Sequence, residues 1–173
     1  MYRDTMLCSL KHALYIGILI MLYLLQTNPF LFHIAGMRPL WIIPVVVAIA
    51  MLEGEYIGAF YGTAAGVLCD LSATKLFGLN SVLMLLCCAA VGLAVIYLMR
   101  FTTLNSVLLT GAVMLVKDLF CFYFYYAMWG YSGIWRVFVF DMIPELILTL
   151  MVTPPLFLML THIKTKFDER MSS

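Results

Sequence analysis

"GAFYGTAAGVLCDLS", Gly58 to Ser72, sets Gly58, Gly62 and Gly66 four residues apart and places Asp70 next in the same series. In water, glycine weakens a helix by about 1 kcal/mol relative to alanine. A carboxylate is likewise costly in an apolar stretch. The two make sense together where helix meets helix inside lipid. There the hydrophobic effect no longer drives association, so close packing and polar contacts take over. Gly58-x-x-x-Gly62 and Gly62-x-x-x-Gly66 are overlapping small-residue motifs, and Ala59, Thr63 and Ala65 widen the smooth face. Each step of four residues drifts about 40° around the axis, which suits the right-handed crossing associated with such motifs. The stripe is therefore a groove for another helix, either of the same chain or of a separate protein.

The whole composition asks for the same solvent. Of 173 residues, 65% are hydrophobic and 11% charged, and the mean hydropathy is +1.05. Average globular chains are roughly 45–50% apolar and about 25% charged. A soluble fold of this size cannot hide that much apolar surface. A net charge of +1 without a basic stripe excludes nucleic acid as a partner. The cysteines Cys8, Cys69, Cys87, Cys88 and Cys121 form no C-x-x-C pair and read as small hydrophobes, not as disulfide or zinc ligands. The apolar stretch after Lys11 and His12 is too long for a signal sequence and lacks a small-residue cleavage site, so it reads as a retained first span.

A bilayer core needs around 20 residues of helix, with a range of about 17–25. The apolar runs predict an all-α, polytopic bundle of about six spans in one membrane domain, at 12–28, 40–52, 55–72, 79–99, 104–129 and 142–162, with a polar, frayed tail over 163–173. The second run, with Pro44 in it, rises only about 20 Å; it and the third are read as two short spans in preference to a re-entrant hairpin. With six spans both termini share a side, which carries Arg3, Lys11, Arg100, Lys164, Lys166 and Arg170. The other side carries Arg38, Lys75 and Arg136, so the bias places both termini in the cytoplasm. Trp41, Trp129, Trp135 and the tyrosines of "FYFYYAMWGY" fall near span ends, as interfacial aromatics do.

Asp70, Lys117, Asp118 and Glu145 lie inside predicted spans. Charges at such depth mark internal pairs or functional sites. Depth by residue count suggests that Lys117 bridges to Asp70 or to Glu145. Adjacent helical residues diverge by about 100°, so Lys117 and Asp118 are expected to point different ways. Glu53 and Glu55 flank a turn and read as solvated. The catalytic inventory is poor: the histidines His12, His33 and His162 fall at span ends, no serine is matched with a histidine at depth, and no H-E-x-x-H, P-loop or dinucleotide fingerprint occurs. Neither an enzyme nor a cofactor or metal site is expected.

The order of these features is similar to that of a known family. Arg38, Pro39 and Trp41 of "MRPLW", a short acidic turn, and then Gly58, Gly62, Gly66, Asp70, Leu71, Ser72, Phe77 and Gly78 resemble the signature region of the rod-shape-determining MreD family. Asp118 in "LVKDLF" matches an acidic residue of a later span, whereas Lys117 beside it departs from the pattern. The resemblance implies a non-enzymatic scaffold of the bacterial cytoplasmic membrane, working in the elongation machinery for lateral peptidoglycan. Its implied partners are MreC, with the actin-like MreB, a SEDS glycosyltransferase and a class B penicillin-binding protein as indirect ones. If the groove on the third span is not filled internally, it is the place for the MreC membrane helix. The competing reading is a substrate-binding membrane subunit of an energy-coupling-factor vitamin transporter, a fold this family is thought to share. A pocket for that role has Arg136, Asp141 and Glu145 as its polar concentration.

Overall fold

The structure, a computed structural model, describes residues 2–27, 40–72, 77–125 and 143–172. These form six helices: α1 (Tyr2–Thr27), α2 (Ile42–Glu53), α3 (Glu55–Ser72), α4 (Leu79–Tyr97), α5 (Thr103–Tyr125) and α6 (Ile143–Ser172). No strand occurs among the described residues. Among the described residues, four segments are long and apolar enough to cross a bilayer: Ser9–Thr27, Leu79–Tyr97, Thr103–Phe124 and Ile143–Glu169. The chain is a helical membrane bundle.

The centre of the bundle is its shortest helix. Every residue of α2 from Ile42 to Leu52 is buried, and all the other helices pack against it. A helix that is apolar all round belongs in a core, and "IIPVVVAIAML" is apolar on every face. Pro44 does not break it, because the first turn of a helix has no intrahelical use for its N–H groups. Just before it, the Leu40 N–H is taken up by Thr149 Oγ1 on α6, at 3.2 Å. At the other end Gly54 alone connects α2 to α3. Its φ of 90° is a conformation that side chains with a Cβ rarely adopt, and its N–H closes on the Ala50 carbonyl at 3.1 Å.

Two boundaries differ from the expectation. Helix α1 begins at Tyr2, well before His12, and α6 runs on to Ser172, so the tail expected to fray is helical. Neither "YRDTMLCSLK" nor "IKTKFDERMS" contains glycine or proline. In the second segment Lys164 precedes Asp168 by four residues, a spacing that supports a helix, while Ile163 packs on the core. Both helices therefore project past the apolar layer. The expected ends at 28 and 129 fall outside the described residues.

Candidate functional site

The glycines of α3 meet helices of the same chain. A Cβ on Gly62 would lie 2.6 Å from the Met84 carbonyl oxygen and 2.8 Å from Cys88 Cβ, both on α4. On Gly66 it would strike the Ser81 Cα and the Asn80 carbonyl, and on Gly58 it would lie 2.6 Å from Ala50 Cβ of α2. Carbon atoms prefer separations near 3.5–4.0 Å, so only hydrogen fits at these places. The seam is reciprocal: a Cβ on Gly92 of α4 would lie 2.5 Å from Glu55 Cα. As α3 advances from Glu55 to Gly66, its neighbour on α4 recedes from Gly92 to Ser81, so the two run antiparallel. The groove that could have received a separate protein is occupied by α4 and the end of α2. Gly92 is the one glycine of α4, among Cys88, Ala89, Ala90 and Ala94, so its helix lacks the glycine register that marks α3.

Asp70 closes the same seam. It is buried at 1% exposure and accepts five hydrogen bonds, from Gly78 N (3.0 Å), Asn80 N (3.3 Å), Asn80 Nδ2 (3.0 Å), Ser81 N (3.1 Å) and Ser81 Oγ (2.6 Å). The first N–H groups of a helix have no intrahelical partner and carry the positive end of its dipole. A carboxylate from the preceding helix answers both needs of α4. Gly78 makes the approach possible with φ at 99°. This gives a physical reason for the spacing from Asp70 to "GLNS", Gly78 to Ser81. Leu71 is exposed, whereas the side chain of Ser72 lies outside the described residues.

For Lys117 the structure adds a neighbour to the two expected partners, Asp70 and Glu145. Asp70 is engaged by α4, and Lys117 Nζ meets its own neighbour, Asp118 Oδ1, at 3.2 Å. The two Cα–Cβ bonds do diverge around the helix, but the four-carbon lysine stem reaches back across the gap. Glu145 on α6 stays within electrostatic range of the same ammonium. The second Asp118 oxygen is buried without a hydrogen-bond partner, while Cys121 Sγ approaches Asn80 Oδ1 at 3.8 Å. One end of the bundle thus gathers Asp70, Asn80, Ser81, Lys117 and Asp118. Trp41 is half-buried at the start of α2. Arg38, Pro39, Trp129, Trp135, Arg136 and Asp141 lie outside the described residues.

The opposite end holds a cluster that sequence reading missed. Glu53, expected in water, is paired with Lys11 Nζ at 2.9 Å, both side chains less than a tenth exposed. Tyr15 donates its hydroxyl to the other Glu53 oxygen at 3.1 Å. Beside them His12 Nδ1 lies 3.0 Å from the Tyr61 hydroxyl, which donates to the His12 carbonyl at 3.2 Å. With that proton spent, the imidazole is assigned as the Nδ1–H donor. The His12 and Tyr61 rings stack at 6.0 Å. Lys164 of α6 donates to the Leu52 carbonyl, one of the open carbonyls at the end of α2. A usable signal existed: an acid that ends a wholly apolar helix needs a cation, and Lys11 lies at the polar end of the next-door span.

Removing one partner from a buried ion pair costs about 3–5 kcal/mol, because the other charge is stranded. Glu53→Ala should therefore lower the thermal unfolding midpoint in mild detergent sharply. Glu53→Leu with Lys11→Met should recover most of the loss. A double variant as unstable as the sum of its single changes would show that the pair is not the cause.

Among the described residues no group of three His, Cys, Asp or Glu side chains is placed to hold a metal ion. What these contacts define is a polytopic helical membrane protein in which buried polar side chains fasten helix to helix at both ends. The family model described as rod shape-determining protein MreD matches residues 9–166, nearly the whole chain. The chain belongs to the MreD family, and its role lies in rod-shape determination. The comparisons with curated proteins and with solved structures each return no match.

Proposed function

We propose that this chain is a non-enzymatic scaffold subunit of the machinery that builds the lateral cell wall of rod-shaped bacteria. In this reading it sits in the cytoplasmic membrane and binds the membrane helix of MreC. MreB lies on the cytoplasmic face, while a SEDS glycosyltransferase and a class B penicillin-binding protein carry out synthesis. The observation that carries the proposal is the family match over residues 9–166. It is joined by a pattern in which Asp70, Glu53, Lys11 and Lys164 are engaged in bonds between helices. Side chains used that way build a rigid surface for docking.

Topology follows the charge bias. Lys11 and Lys164 both reach the same end of α2, which supports both termini lying on one side, and the Lys/Arg excess there makes it the cytoplasm. Because the glycine seam is filled, MreC docks on another face. Copurification in mild detergent from cells with their own partners tests the reading: MreC should stay bound. Recovery with the ATPase and coupling subunits of a vitamin transporter would replace it with the transport reading.

A further inference from the structure

We propose that the cleft at the membrane surface beside the end of α2 binds the headgroup of a phospholipid that carries a primary ammonium, of the phosphatidylethanolamine type. The cleft measures about 580 Å³, within the range of small-ligand pockets, roughly 300–1,000 Å³. Leu52 and Phe101 give it apolar walls, and one face of α6 supplies Thr161, Lys164, Thr165 and Asp168. These positions follow the i, i+3, i+4, i+7 pattern of a single helix face.

Their order along α6 is chemically directional. The sequence of α6 turns polar after Leu160, so in this proposal Lys164 stands at the surface and Asp168 four residues, about 6 Å, farther out. A phosphate with an ethanolamine ammonium two carbons beyond it has the complementary order. Thr161 and Thr165 spend their hydroxyl protons on the carbonyls of Phe157 and Thr161, so toward the cleft they act as acceptors. Lys164 gives one proton to the Leu52 carbonyl and, with three donors in all, keeps others for a phosphate oxygen. One donor group among several acceptors fits a ligand with one anionic group and a donor-rich cation. An anionic headgroup lacks that cation and would face the carboxylate of Asp168, exposed in the cleft wall. Basic clusters are what attract anionic lipids, whereas this cleft sets one lysine against the carboxylate of Asp168.

The test does not depend on the shape-determining role. The full chain, purified in mild detergent, is mixed with equal amounts of phosphatidylethanolamine and phosphatidylglycerol of identical acyl chains. Retained lipids are then counted by native mass spectrometry. A charge-assisted hydrogen bond supports a preference for phosphatidylethanolamine of roughly tenfold. Asp168→Asn should bring the two lipids to near parity, while Lys166→Gln, on the same helix but outside the cleft, should leave the preference intact. Equal retention by the unaltered chain, a preference for phosphatidylglycerol, or a preference that survives Asp168→Asn overturns the proposal. So does a cleft found occupied by a segment of another protein.

Discussion

Gly62→Leu is expected to remove the folded protein from the membrane, and rod shape with it. The first added carbon would already sit 2.6 Å from the Met84 carbonyl oxygen. That oxygen belongs to the α4 backbone and cannot swing aside as a flexible side chain would. Three further carbons must follow, so α3 and α4 have to part along their length. Overpacking of a core costs about 1–3 kcal/mol in soluble proteins, occasionally more. In lipid, where packing itself holds helices together, the opened seam has little to replace it. Gly62→Ala should fall between the two, with reduced levels and a lowered unfolding midpoint. Gly17→Leu is the control, because nothing lies within 4 Å of a Cβ there. Membrane-fraction immunoblots and cell outlines read the series. Normal rods with normal levels of Gly62→Leu would refute the packing account.

The second large effect is expected at Asp70. Asp70→Ala leaves the N–H groups of Gly78, Asn80 and Ser81, with the Asn80 amide and the Ser81 hydroxyl, without their acceptor. Each buried donor left unsatisfied costs about 1–3 kcal/mol. Some donors will find water, so a loss of about 4 kcal/mol is the expected scale for the group. Asp70→Asn should be milder but still harmful, because its amide nitrogen would face donors where an acceptor is needed. Hydrogen exchange supplies a local readout. The first turn of α4 should lose protection before the middle of α5 does. Unchanged exchange at Asn80 and Ser81 in Asp70→Ala would show that the carboxylate does not hold that turn.

The helices and the glycine register were legible because they are local: apolar run length and four-residue spacing are written along one segment. The groove was readable for the same reason, and its occupant was not. Nothing in "GAFYGTAAG" says whether α4 or a foreign helix fills it, and α4 has one glycine where α3 has three in register. Long-range pairs were harder still. Lys11 and Glu53 lie 42 residues apart, and only a packed α1 against the end of α2 brings them together. Glu53 therefore read as a turn residue in water. The contact of Lys117 with Asp118 is hidden for a different reason: Cβ directions diverge between neighbours, whereas stem length brings the ammonium back. The tail of α6 is helical although polar, because its residues contain no breaker and polarity alone does not fray a helix.

Lys11 of α1 and Lys164 of α6 converge on the carboxyl end of one short helix. The carbonyl of Leu52 waits 112 residues for its partner. During synthesis the wall that α6 provides around α2 is absent until α6 itself has been translated. A nascent chain halted before Lys164 thus exposes an unfinished centre to lipid and to membrane proteases. A stop codon inside α6 ahead of Lys164 should be as damaging to the cell as deletion of the whole gene, since that helix closes the wall around α2.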